Sequence, residues 1–218
     1  MELLSDWLEW SPRLLSGLWV SVQVTALSLL VGIPLGLGLA LLSSVKSRVV
    51  RILTMIFIEV GRGMPAIVML QMVYFGLPEF NIVLDSFTAT VVALSLTTSA
   101  YTSEIIRAGL RAVPDGEIEA ADALGIKRLD VMRFIVVPQG FRIALPTLMG
   151  FAILILQVSS LAFTLGLPEL LSQAYSVGAS TFHYLEVLTL AGLMYLVITV
   201  PGGWLVENFE KRLSRHLS

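Results

Sequence analysis

The chain has 218 residues, 56% of them hydrophobic and 14% charged, against roughly a quarter charged in ordinary soluble domains. That balance excludes an ordinary soluble domain, and a net charge of −2 gives no sign of the basic surface that a nucleic-acid partner requires. The absence of cysteine excludes disulfides and thiolate metal sites. Residues 14–45 contain no Asp, Glu, Lys, Arg or His and exceed the roughly 20 residues needed to span a bilayer as helix. Acidic residues precede this run and no cleavage-like ending follows it, so it reads as a first span and not as a signal peptide. Gly32, Pro34, Gly36 and Gly38 within it permit either close packing of a neighbouring helix or a kink. Residues 52–78 form a second apolar run, interrupted by Glu59 and Arg62. These stand i, i+3 on a helix and can pair, offsetting part of their insertion cost, and Gly63-Met64-Pro65 predicts a bend just after them. Residues 86–103 are again free of charge, and Glu104 and Arg107 repeat the i, i+3 spacing at the end of that run, where an interfacial ion pair or a snorkelling arginine is expected.

Val113 to Pro138 reads VPDGEIEAADALGIKRLDVMRFIVVP, a charged helix-turn-helix between two long apolar runs. The first helix is predicted to start at Pro114-Asp115, with Glu117 and Glu119 complementing the dipole of its first turn, and to stop at Gly125. Ile118, Ala121 and Leu124 fall on one face, and Ala120 and Ala121 are small enough to admit a partner's side chain or backbone. The second helix carries Leu129, Met132 and Val136 on one stripe and is predicted to end at Pro138. A loop with this much local structure suggests a docking surface for a soluble partner.

Residues 143–168 form a further charge-free run, in which Gln157, Ser159 and Ser160 each need a hydrogen-bond partner or water. Residues 169–183 are too polar to face lipid and are expected as an external loop or short surface helix. Residues 187–206 complete the apolar runs, with His183 and Glu186 at the boundary and a kink expected at Pro201-Gly202-Gly203. The expected fold is an all-α integral membrane protein, residues 1–218 forming one domain of five transmembrane helices with the helix-turn-helix loop of about residues 113–138 on the cytoplasmic side between the third and fourth. With the N-terminus outside, Lys46, Arg48, Arg51, Arg107, Arg111, Lys127, Arg128, Arg133, Arg142, Lys211, Arg212 and Arg215 lie at the cytoplasmic side, with Arg13 outside and Arg62 within a span, as the positive-inside rule asks. Glu2, Asp6, Glu9, Glu79, Asp85 and Glu169 then lie outside. No carboxylate pair, Ser/His/Asp set or metal-ligand spacing marks a catalytic or metal site, so the chain does not read as an enzyme.

Several ordered motifs resemble a known family, the membrane permease subunits of ATP-binding-cassette importers, and within it the polar amino-acid uptake branch. Glu119, Ala120, Ala121, Gly125 and Val137-Pro138 resemble that family's E-A-A loop. EVGRGMPAIV at 59–68 is similar to the branch's E-x-x-R-G-T-P segment, AYTSEIIRAGLRAVPDGE at 100–117 to its A-Y-x-x-E-x-x-R run, PQGFRIALP at 138–146 to P-Q-A-x-R-x-x-x-P, and PEL at 168–170 to a further short motif. The likeness covers about residues 16–213.

The resemblance implies one permease half in a bacterial cytoplasmic (inner) membrane, multi-pass. It is expected to pair with an identical or related second permease subunit, two cytoplasmic ATPase subunits and an external or periplasmic solute-binding protein, in contact with membrane lipid. Glu119, Ala120, Ala121, Asp122, Gly125 and Pro138 are implied as ATPase-coupling residues. Gly63, Met64, Gln157, Val158, Ser159 and Ser160 are implied in the substrate pathway, and Glu59, Arg62, Glu104 and Arg107 as structural ion pairs, with direct substrate contact the other reading of Glu59 and Arg62. The chain contains no G-x-x-x-x-G-K-[ST] phosphate loop. ATP and magnesium are thus expected in the partner ATPase, and no cofactor on this chain.

The departures are specific. Where the branch shows L-K-D-T-S-L, this chain has Leu156-Gln157-Val158-Ser159-Ser160-Leu161, Met64 replaces the threonine of R-G-T-P, and Glu117 replaces the glutamine of G-Q. A degenerate half that docks the ATPase while its partner binds substrate is therefore a competing expectation. An independent secondary transporter or channel predicts charged relay residues deep in several spans and leaves the long docking loop unexplained.

Overall fold

The computed structural model describes residues 2–214, with side chains for residues 5–212. Arg215 lies outside the described residues, as does the side chain of Glu2. Among the described residues the chain is helical throughout: α1 (Glu2–Leu42), α2 (Arg48–Gly63), α3 (Ala66–Gln71), α4 (Ser86–Arg111), α5 (Asp115–Ala123), α6 (Arg128–Val131), α7 (Val137–Val158), α8 (Leu170–Thr181) and α9 (Tyr184–Ser214). A π-helical turn (Met72–Gly76) and a 3-10 turn (Leu77–Phe80) extend α3, a second π-helical turn (Met132–Val136) joins α6 to α7, and a 3-10 turn (Ser159–Leu165) follows α7.

Among the described residues three continuous stretches are long and apolar enough to cross a membrane: Ser5–Leu42, Arg128–Leu165 and Tyr184–Arg212. A fourth is made if Arg48–Gly63 and Ala66–Phe80 count as one span, and these are bent by 105° to one another. The bend has a local cause. Met64 precedes a proline, which clashes with a helical backbone at the residue before it, so Met64 (φ −82°, ψ 127°) and Pro65 (φ −57°, ψ 136°) are extended and separate the two helices.

Helix α4 is the centre of the bundle, against α1 on one side and α7 and α2 on others. It is rich in serine and threonine, yet Thr90, Ser95, Thr97, Thr98, Ser99, Thr102 and Ser103 are buried. Many of its hydroxyls turn back onto their own helix: Ser99 Oγ donates to Leu96 O at 2.8 Å, Thr102 Oγ1 to Thr98 O at 2.7 Å and Ser103 Oγ to Ala100 O at 2.7 Å. These bonds let much of a polar sequence be buried, Thr102 also reaching Gly32 O of α1 at 3.5 Å, while the hydroxyls of Ser95, Thr97 and Thr98 are buried without a partner among the described residues. The glycines of α1 make the approach possible. A Cβ on Gly32 would lie 2.6 Å from Thr98 Cβ, and one on Gly36 would meet the Thr102 hydroxyl. Of the two readings of this segment, close packing is what the structure shows, although Pro34 also lies inside the helix.

Two expectations require correction. The second helix of the 113–138 segment does not end at Pro138. It runs from Arg128 through the π-helical turn into α7, whose first turn holds Pro138. The π-helical turn immediately ahead of Pro138 is where the continuous helix accommodates a residue that lacks an N–H. Leu124 does not share the sheltered face of Ile118 and Ala121; it is 79% exposed, while Ala121 is buried with Val113, Val131 and Val136. Residues 170–181 form the surface helix α8, packed on α1 and α9.

Candidate functional site

The bend between α2 and α3 opens a cavity of about 240 Å³ whose walls come from three places in the chain. Arg62, Gly63, Met64, Pro65 and Ala66 form one wall, Thr97 and Tyr101 of α4 a second, and Phe151, Leu154, Ile155 and Val158 of α7 the third. Tyr101 holds the site together. Its hydroxyl donates to Arg62 O at 3.0 Å, one of the carbonyls that the end of α2 leaves without a helical partner. Its ring stacks on Phe151, with centroids 5.5 Å apart, and the Arg62 guanidinium carbon lies 6.0 Å from the ring centre. Thr97 Oγ1 is buried and has no hydrogen-bond partner, so one donor with unused capacity lies in an otherwise apolar wall.

The charged residues near this bend form a relay across two helices. Arg62 Nη1 lies 3.8 Å from Glu59 Oε1 on its own helix and 3.8 Å from Glu104 Oε2 on α4. Glu104 in turn accepts hydrogen bonds from Arg107, through Nε at 3.0 Å and also through Nη2. Glu59 is 68% exposed and Glu104 only 25%. The sequence places each ion pair within one helix; the cross-helix contact of Arg62 with Glu104 depends on how α2 and α4 meet. Gly61 permits that approach, since a Cβ there would lie 2.7 Å from Ala100 Cβ.

Of the six residues expected in a substrate pathway, Gly63, Met64 and Val158 line the cavity, and Gln157, Ser159 and Ser160 do not. Ser159 Oγ donates to Leu156 O and Ser160 Oγ to Gln157 O, both at 2.7 Å, which turns both hydroxyls back onto the helix. Gln157 is exposed. Thr97, Tyr101 and Phe151 were not singled out by sequence. The A-Y start of the run at residue 100 was the available signal for Tyr101, and Thr97 was hidden among the many hydroxyl residues of α4.

At the other end of α4, α5 rests on Val113, Val131 and Val136 through Ala121 and Ile118. Glu119, Ala120 and Asp122 are exposed on its outer side. Gly125 follows with φ +70°, the left-handed conformation that only glycine adopts without cost. Pro138 is exposed at the start of α7, and Gln139 Nε2 donates to the Glu117 carboxylate, tying α7 to α5.

Comparison with known proteins identifies the family. The chain is 36% identical over 203 residues to the arginine transport system permease protein ArtQ of Bacillus subtilis (strain 168), with 93% of each chain covered. It is 33% identical over 233 residues to the histidine/lysine/arginine/ornithine transport system permease protein HisM of Escherichia coli (strain K12), with 100% of this chain and 97% of that one covered. A chain in the crystal structure of an amino acid ABC transporter with histidines is similar at a TM-score of 0.90 and 34% identity, covering 97% of this chain and 99% of that one. Residues 32–215 match the family described as binding-protein-dependent transport system inner membrane component, and with relatives this similar over their full length the chain belongs to that family.

Proposed function

We propose that the chain is the membrane-spanning permease half of an ATP-driven importer of polar amino acids. The observation that carries this reading is the cavity at the α2–α3 break, where the extended Met64 and Pro65 lie against Tyr101 of α4 and Val158 of α7. Irregular backbone at membrane depth is tolerated where it lines a cavity, and transporters place substrate there. Five spans cross the membrane in this reading: α1, the bent α2–α3 pair, α4, α6–α7 and α9. The N-terminus is outside, and α5 lies on the cytoplasmic side.

A second permease half, identical or related, completes the pathway, an external binding protein delivers substrate, and two ATPase subunits bind ATP and magnesium. The exposed Glu119, Ala120 and Asp122 of α5, with Gly125 and Pro138 flanking, form the contact through which the ATPase acts. In the cavity Gly63 and Met64 leave room beside Tyr101, and Val158 supplies an apolar surface where related permeases carry an acid. Reconstitution of this chain with its ATPase and binding protein in proteoliposomes is expected to give ATP-dependent uptake of amino acids. Uptake that persists without ATPase would reject the reading.

A further inference from the structure

A second and larger cavity, about 640 Å³, lies at the α5 end of the bundle, away from the α2–α3 break. Its walls are the end of α1 (Leu41) and the turn after it (Val45), the end of α4 (Leu110, Arg111), Ile118 of α5, and α6 with the π-helical turn (Arg128, Leu129, Met132). Three apolar stretches end or begin together here: α1 stops at Leu42, α4 at Arg111, and the stretch that becomes α7 begins at Arg128. Helix ends gathered at one level are what a boundary between hydrocarbon and water produces.

The lining combines two chemistries. Most of it is aliphatic, and Leu129 beside it is 78% exposed, an unfavourable position for a large apolar side chain unless hydrocarbon covers it. The charged part is arginine alone. Arg107 is held by Glu104, but no carboxylate lies within 4.0 Å of Arg111 or Arg128 among the described residues. Two guanidinium groups with no carboxylate in direct contact, Arg111 feeling Glu104 only at longer range, leave their donors open to a phosphodiester. A free anion leaves the aliphatic walls uncovered, and a neutral chain leaves the arginines unpaired. A zwitterionic lipid brings a cation toward them.

We propose that this groove is a binding site for an anionic phospholipid, its phosphodiester between Arg111 and Arg128 and an acyl chain along Leu110, Leu129 and Met132. Basic pockets between membrane helices at the interface recognise such headgroups. The site needs only that this end of the bundle lies at the membrane boundary, so it stands independently of the transport reading.

The test uses the purified full-length chain in detergent with a phosphatidylglycerol probe that carries a photoreactive acyl chain. Labelling is expected in the segment 129–132, and unlabelled phosphatidylglycerol should compete about thirtyfold better than phosphatidylcholine of the same chains. Arg111→Gln with Arg128→Gln should lower labelling by about the same factor, while Arg111→Lys with Arg128→Lys, which keeps the charge but not the bidentate fork, should lower it less. Equal competition by the two lipids, or labelling outside the groove, would overturn the proposal. So would displacement by glycerol phosphate at the concentrations at which the lipid competes, which would assign the arginines to a free anion. The competition ratio is read on the unaltered chain and does not depend on whether the variants fold.

Discussion

At the scale of single residues, Glu104 carries more of the structure than Glu59. Glu59 is the more exposed and its one contact with Arg62 is long, whereas Glu104 binds Arg107 directly and approaches Arg62 from another helix. Glu104→Gln removes the charge that both arginines share, and the expected loss in thermal unfolding of the purified chain is about 1–3 kcal/mol, the range for a charged hydrogen bond left unmade. Glu59→Gln should change little, as exposed pairs do. Equal losses from the two variants would show that the intrahelical pair dominates and the contact of α2 with α4 is incidental. Val158 allows a second prediction. It lines the cavity beside Tyr101 and Phe151 in an apolar wall, so an acid there is costly unless water or a cationic substrate reaches it. Val158→Asp is expected to shift relative uptake toward cationic amino acids or to abolish transport, as measured by competitive uptake of cationic, neutral and acidic amino acids in proteoliposomes with the binding protein supplied. Unchanged rate and selectivity would place Val158 outside the pathway.

At the scale of elements, the N-terminal cap of α8 has a consequence that can be measured. Glu169 is fully buried, and its carboxylate accepts from Leu171 N at 2.9 Å and Ser172 N at 2.7 Å. Tyr195 Oη of α9 approaches it at 3.4 Å, and Ser21 Oγ of α1 accepts from Leu170 N at 3.3 Å beside it. Burial outweighs these hydrogen bonds and pushes the carboxyl up to about 7 from an ordinary value of 4.5. Between those values the folded chain holds a proton that the unfolded chain releases, so stability falls as pH rises from about 4.5 to about 7 and is level above. Against Glu169→Gln, which cannot titrate, the wild type should lose on the order of 3 kcal/mol across that window. Thermal unfolding at steps from pH 5 to pH 8 measures it, and parallel curves for the two proteins would show that Glu169 is solvated in both states. This carboxyl also marks where sequence reading stops. The apolar runs and the bend at Gly63-Met64-Pro65 were legible because each depends on a contiguous stretch: hydrocarbon length for the spans, and the clash of Pro65 with Met64 for the bend. Glu169 read as an outer acidic residue because its burial is set by α1 and α9, distant in sequence. Pro138 read as a stop because a π-helical turn ahead of it leaves no local signature. Gln157, Ser159 and Ser160 lie outside the cavity for a related reason: they share a segment with Val158, but Gln157 stands on another face of α7, and the two serine hydroxyls turn back onto the chain where the 3-10 turn begins.

At the scale of the whole molecule, α4 joins the two candidate sites. Tyr101 braces the cavity wall, and ten residues further, about 15 Å along the helix axis, Arg111 ends α4 where the chain turns through Val113 and Pro114 into α5. The contacts of Glu104 with Arg62 and Arg107 lie between, so a displacement of α5 carried by α4 reaches both walls of the bend. For α5 to transmit a push it has to be held against the start of α6, and that geometry depends on the turn at Gly125. Its φ of +70° is the reason for glycine there, and since nothing lies within 4 Å of a Cβ at this position, a larger residue meets no steric clash. Gly125→Leu therefore acts on backbone conformation alone, at a cost of about 1–2 kcal/mol for a left-handed residue with a side chain. The small core of Val113, Ala121, Val131 and Val136 is untouched, so the chain should still insert and fold. Relief of the strained turn is expected to tilt α5 away from α6, weakening the contact proposed for it with the ATPase. In reconstituted complexes, substrate uptake and substrate-stimulated ATP hydrolysis should both fall several-fold while the basal membrane content of the chain is unchanged. Gly125→Asn, which tolerates the left-handed conformation better, should retain more of both activities than Gly125→Leu. Identical behaviour of the two variants would mean that the side chain and not the turn disturbs docking, and wild-type values for both would remove this turn from the coupling mechanism.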